Sequence, residues 1–158
     1  AIASASLYII IFWRVQLYLE AALQVFYIAM AGYGWFAWKS DDPQARSNIQ
    51  TWPLRRHALA CSLLILISTL LGAAMSQWTD AASPFIDAAT TVSALLATWM
   101  VAKKLLENWL YWIAIDIASI GLYLSRDLSL TAGLFGGYVI LATLGYFAWR
   151  RQWLQQIA

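Results

Sequence analysis

Apolar residues run through this chain in long blocks, interrupted by short polar punctuation rather than alternating with it. Twenty-two uncharged residues separate Asp127 from Arg150, and twenty-two more separate His57 from Asp80. A helix needs about 20 mostly apolar residues to cross roughly 30 Å of hydrocarbon. The pattern predicts six apolar helical segments, at 1–13, 16–38, 57–77, 84–102, 107–125 and 128–150. Their connections at 14–16, 103–106 and 126–127 are brief, and only 39–56 is long and polar. The ten-residue alternation of lipid-facing strands is missing, which argues against a closed barrel. The expected fold class is all-α: a polytopic transmembrane helical bundle forming one domain over 1–158.

The pattern also repeats. Residues 1–39 and 112–150 align without a gap at an offset of 111, identical at thirteen of 39 positions. Leu and Ala matches come cheaply in so apolar a chain. Tyr27/Tyr138, Gly34/Gly145 and Phe36-Ala37-Trp38 against Phe147-Ala148-Trp149 do not. The copies are four segments apart, so they run in the same direction, as parallel repeats do in transporters whose substrate sites lie between the repeats. The short connection at 103–106 ties the segment at 84–102 to the second copy. The expected plan is three helices, a linker helix and three more (3+1+3). In it 1–38 is a partial first repeat, 57–77 the linker and 84–150 the second repeat, and a helix is expected before Ala1. The alternative is a six-helix protein whose first helix is short; thirteen residues rise only about 20 Å.

Charged residues make up 11% of the chain, against about 25% in soluble domains. Their placement is informative. If the segments alternate in direction, Lys39, Arg46, Arg55, Arg56, Lys103, Lys104, Arg150 and Arg151 share one face, and only Arg14 and Arg126 the other. The positive-inside rule puts the basic face, with 39–56 and the C-terminus, in the cytoplasm. These basic residues are topology signals and imply no nucleic-acid partner; the lipid bilayer is the expected surrounding. Ala1 opens inside an apolar run, unlike a cleaved signal peptide. Cys61 is the single cysteine, so no internal disulfide can form, and no metal-ligand spacing occurs. His57, beside Arg55 and Arg56, is expected at the membrane surface. No phosphate-binding loop, dinucleotide fingerprint, HExxH or Ser-His-Asp set is present, so neither an enzyme nor a cofactor is expected.

Candidate chemistry concentrates at 107–116, which holds Glu107, Asn108, Trp109, Tyr111, Trp112 and Asp116. Spacings of three and four place Asn108, Trp109, Trp112 and Asp116 on one broad helix face. Indoles stack on flat rings and attract cations, and an amide offers donors and acceptors together. The competing reading makes Trp109 and Trp112 an interfacial belt and Glu107 and Asn108 a helix cap. Asp116 lies deep enough to need a partner or a cavity. Segment 16–38 carries Glu20, Gln24 and Tyr27 on one face. Glu20 is expected near the interface, and Gln24 at mid-membrane, where an amide must be satisfied. Gly32, Gly34, Gly133, Gly136 and Gly137 are expected to serve close helix packing. Thr90, Thr91, Ser93 and Thr98 are expected to bond the carbonyls of the preceding turn, with Thr91 retained as a candidate ligand contact. Trp38 is expected at a helix end, at the interface.

Leu23-Gln24-Val25-Phe26-Tyr27 followed by Gly34-Trp35-Phe36-Ala37-Trp38 resembles the third helix of the PnuC family of nicotinamide riboside transporters. Asp87-Ala88-Ala89-Thr90-Thr91, Lys103-Lys104 and the run Glu107-Asn108-Trp109-Leu110-Tyr111-Trp112 with Asp116 resemble the fifth and sixth helices; Leu128 to Arg151 resembles the seventh. One departure is Thr98, where that family commonly has Gln. The resemblance implies a SWEET-like 3+1+3 carrier in the bacterial inner membrane. It implies facilitated diffusion of nicotinamide riboside, with the substrate trapped inside by phosphorylation. It also implies contacts from Asn108, Trp109 and Trp112, with Gln24 from the facing repeat, and a homotrimer. A sister specificity such as thiamine is the rival within transport. A non-transporting scaffold or receptor is the rival outside it.

Overall fold

The computed structural model describes residues 2–37, 49–81 and 83–157, with side chains over 4–29, 49–81 and 83–157. It contains α1 (Ile2–Arg14), α2 (Tyr18–Ala37), α3 (Leu54–Trp78), α4 (Pro84–Ala102), α5 (Asn108–Leu124) and α6 (Ser129–Ile157). The only extended pairing among the described residues is an isolated parallel bridge between Gln50 and Leu105. The fold is all-helical, as the apolar blocks predict. Trp38, Lys39 and Arg46 lie outside the described residues.

Helix ends differ from the expected segments for simple reasons. α3 starts directly after Pro53, whose extended backbone at φ −68° and ψ 150° sets the boundary. α6 runs on to Ile157 because nothing from Arg150 to Gln156 breaks a helix. The basic pair therefore marks the end of the apolar block and not the end of the helix. α3, α4 and α6 are long and apolar enough to cross a membrane; α1, α5 and the described part of α2 are shorter apolar helices. The 17 residues of α5 rise about 25 Å. Side chains such as Leu59, Ile65, Leu66 and Leu70 on α3 are exposed, which suits a surface facing lipid.

Three of the helix connections use one device. The Leu17 N–H donates to Phe12 O at 2.9 Å, Leu105 to Met100 O at 3.0 Å and Leu128 to Tyr123 O at 2.9 Å. The residue before each, Gln16, Lys104 or Asp127, has a left-handed backbone with φ of 61°, 53° or 57° and donates to the carbonyl three residues back. This is the Schellman stop, which also brings the residue after the left-handed one onto the last helical turn. Glycine usually occupies the left-handed position, and none does here. At positions 111 apart the turns at 14–17 and 125–128 share their two closing bonds: 16 to 13 and 127 to 124, both at 3.3 Å, then 17 to 12 and 128 to 123, both at 2.9 Å; Val15 donates to Ile11 O, whereas Arg126 donates to Tyr123 O.

These turns place the elements around two buried clusters. One contains Phe12, Leu17, Leu122 and Tyr123. In it Phe12 and Tyr123, themselves 111 apart, stack with centroids 5.3 Å apart and planes 6° from parallel. The other joins Leu23 of α2 to Ala94 and Ala97 of α4 and Ile115 of α5.

At one end of the bundle Asp87 of α4 accepts the backbone N–H groups of Leu19 (3.1 Å) and Glu20 (3.0 Å), capping the start of α2 from another helix. Glu20 was expected at the interface but is only 3% exposed. It accepts from the Thr90 hydroxyl at 2.7 Å and the Tyr123 hydroxyl at 3.4 Å, because the α4 cap draws it inward. Arg126 donates to Ser83 at 2.6 Å. Asp80 accepts from Gln16 and from the Tyr18 hydroxyl, and the latter bond holds its carboxyl below the usual range. At the opposite end the Ile49 N–H donates to Gln156, the Trp52 N–H to Glu107 and the Gln50 N–H to Lys104 O.

The small-residue expectation fails at the three of its glycines whose surroundings are described, and Gly32 and Gly34 lie outside those. A Cβ on Gly133, Gly136 or Gly137 would meet nothing within 4 Å, since those positions do not face a neighbouring helix. Gly72 and Gly145 are the tight ones: a Cβ on Gly72 would lie 2.6 Å from Phe85, and one on Gly145 2.7 Å from the Trp109 ring.

Candidate functional site

α5 presents Trp109, Trp112 and Asp116 at spacings of three and four, so they share a face. That face meets Tyr27 of α2 across a cavity of about 330 Å³. α6 closes the far side with Phe135, Tyr138, Leu141 and Ala142. Tyr27 and Tyr138 are repeat counterparts, and both line the space.

The indoles are held firmly. Trp109 lies flat over Gly145, where a Cβ would stand 2.7–2.8 Å from three of its ring carbons, and its edge meets Trp149 at 5.4 Å and 89°. Its buried Nε1 has no hydrogen-bond partner among the described residues. Trp112 faces Tyr27 with centroids 6.5 Å apart. Asp116 is 4% exposed; among the described residues it makes no hydrogen bond or ion pair. None of the eight residues around the cavity is Lys, Arg or His.

Four of the seven residues singled out in the sequence thus meet here: Tyr27, Trp109, Trp112 and Asp116. Asn108, Gln24 and Thr91 stand outside the wall of this cavity. Asn108 is fully buried and donates through Nδ2 to Leu105 O at 2.5 Å, leaving Oδ1 without a partner among the described residues. It ties the α4–α5 turn. Gln24 is half-buried, one turn before Tyr27. Thr91 was expected to bond the preceding turn, as Thr98 does to Ala94 O at 2.8 Å, yet its buried hydroxyl has no partner among the described residues. Phe135 and Tyr138 were not anticipated. The internal alignment carries the signal for Tyr138, which stands 111 residues after Tyr27.

Glu107 makes no cap bond to its own helix. Its carboxylate instead accepts the Trp52 N–H at 3.1 Å and lies 3.9 Å from His57 Nε2. His57 is not the surface histidine its basic neighbours suggest. It bonds the Tyr111 hydroxyl at 3.1 Å and packs on Trp52, because 49–53 folds back across it. A second, larger cavity of about 740 Å³ lies between α3, α4 and α5. Its wall is mostly apolar, and polar groups gather at one place, where the Tyr111 hydroxyl meets His57 Nδ1 at 3.1 Å and Cys61 Sγ at 3.8 Å.

Comparison with known proteins fits this arrangement. The nicotinamide riboside transporter PnuC of Escherichia coli (strain K12) is 28% identical over 146 aligned positions, covering 76% of this chain and 61% of the relative. The riboflavin/roseoflavin transporter RibM of Streptomyces davaonensis is 25% identical over 143, covering 86% of this chain and 64% of that one. The chain therefore spans less than two thirds of the length of these relatives. A crystal structure of the vitamin B3 transporter PnuC superposes with a TM-score of 0.75 over 98% of this chain and 71% of that one, at 20% identity, so the two share a fold. The sequence profile of the nicotinamide mononucleotide transporter family matches residues 1–151. This all-helical chain, with its aromatic and acidic cavity, belongs to that transporter family.

Proposed function

We propose that the protein is a bacterial inner-membrane carrier for nicotinamide riboside, with its site in the cavity between α2, α5 and α6. The observation that carries this reading is the convergence of Trp109, Trp112, Tyr27 and Asp116, rings and one carboxylate with no basic residue. Such a site suits a flat, cationic heterocycle. A phosphate would find no positive partner, which favours the nucleoside over the mononucleotide of the family's name. Two relatives are named for carrying a ring with a ribose or ribityl arm. Riboflavin is the second reading that this similarity favours, but its neutral ring would leave Asp116 without a counter-charge. Thiamine, itself a cation, is separated by direct comparison.

Transport is uniport: the substrate moves down its gradient and is trapped inside by phosphorylation. The 3+1+3 plan is supported by the matching turns at 14–17 and 125–128, and a homotrimer by the family association. The basic end of the bundle and the C-terminus face the cytoplasm. Asn108, Gln24 and Thr91 act behind the cavity wall or reach the ligand after a rearrangement.

Calorimetry with purified protein against nicotinamide riboside, thiamine and riboflavin, together with flux into liposomes, tests the reading. Binding and flux of the riboside alone are expected. Flux of none of the three would leave a scaffold or receptor as the better account. Accumulation of unmodified substrate above equilibrium under an imposed pH gradient would refute uniport. Ser47→Cys, in the 39–56 segment, should label from outside only after the cells are permeabilised.

A further inference from the structure

Asp116 sits eight residues into α5, about 12 Å from its start. An isolated carboxylate so buried is costly when ionised. A bound cation would remove that cost, and none of the described side chains lining the cavity supplies one. The ring faces of Trp112 and Tyr27 favour positive charge as well, so they act in the same sense as the carboxylate.

Resting on the transport reading above, we propose that Asp116 is a specificity-determining residue that selects the oxidised, cationic pyridinium nucleoside against its reduced dihydropyridine form. The two ligands share the carboxamide, the ribose and nearly the same outline. They differ by one hydride, which cancels the ring charge. A cavity of about 330 Å³ cannot separate them by size. Charge is the remaining distinction, and among the described residues lining the cavity Asp116 alone carries a formal charge to read it. The oxidised ring pairs with the carboxylate across the cavity, while the reduced ring leaves it desolvated and unpaired.

The test is binding of nicotinamide riboside and dihydronicotinamide riboside to the purified full chain, to Asp116→Asn, to Asp116→Glu and to Trp112→Ala. The wild type should prefer the oxidised form about tenfold or more. Asp116→Asn should weaken the oxidised ligand by a similar factor and change the reduced one less than about threefold. Asp116→Glu should recover part of the preference, whereas Trp112→Ala should weaken both ligands. Equal losses for both ligands in Asp116→Asn would make Asp116 structural and overturn the proposal. Equal binding of both by the wild type would overturn the charge filter and leave the transport reading standing. A wild type that binds neither would overturn the transport reading itself.

Discussion

The hairpins α1–α2 and α5–α6 are built on the same turn yet do different work. Both stop with a left-handed residue, Gln16 or Asp127, and make matching backbone bonds. Each sends a tyrosine, Tyr27 or Tyr138, to the same cavity. The chemistry is not duplicated. Trp112 and Asp116 correspond to Ala1 and Ala5 in the first copy. The repeated turns therefore border a one-sided cavity, and under the proposed function a ligand with a charged ring would meet a chemically distinct wall on α5. Under the proposed function, the repeated turns would set where the cavity lies, and the unrepeated Trp112 and Asp116 would set which end of the ligand goes where.

The strongest way to break this comparison is to remove the unrepeated ring. Trp112→Ala forfeits stacking and cation–π attraction, about 2 kcal/mol when desolvated, so nicotinamide riboside should bind some thirtyfold more weakly by calorimetry. An elution profile like that of the wild type would show the fold intact. Unchanged affinity would make the indole a lipid anchor.

Gly145→Ala comes next. The new methyl would lie 2.7 Å from the Trp109 ring, so the indole must leave its seat, and a roughly tenfold loss of affinity is expected. The Trp109 emission maximum, measured with the other tryptophans replaced by phenylalanine, should shift as the ring moves.

Asp87→Ala probes the scaffold rather than the site. It removes both cross-helix acceptor bonds at the start of α2 and should cost about 1 kcal/mol of stability, read as a lower midpoint of thermal unfolding in detergent. An unchanged midpoint would mean that the cap contributes nothing.

The smallest effect sharpens the comparison between the turns. Asp127→Gly relieves a left-handed backbone and should gain about 0.5 kcal/mol. Gln16→Gly should gain less, since Gln16 also donates to Asp80 at 2.7 Å. Equal gains would show that the Asp80 bond is idle.

The architecture was legible because lipid demands long apolar runs, and runs such as 58–79 and 128–149 have little else to become. The turns were harder to read: Gln16, Lys104 and Asp127 carry none of the glycine signal that usually marks a left-handed stop. On the site helix, Trp109, Trp112 and Asp116 announced one face through spacing alone. Glu20 was misread because its partners, Thr90 and Tyr123, stand 70 and 103 residues away, and no local pattern records such distances. His57 was misread for the same reason: the segment that covers it looked like a polar connection.

The cap that Asp87 lends to α2 has a mechanical consequence. Its carboxylate is completely buried, and it holds N–H groups belonging to a different helix. Drawing α2 away from α4 at this end would bare two donors and an acceptor together, and none of the three tolerates a dry gap. Water must arrive as the helices part. Separation there is consequently a threshold event set by wetting, in which a partly opened state is the least comfortable position available to the bundle.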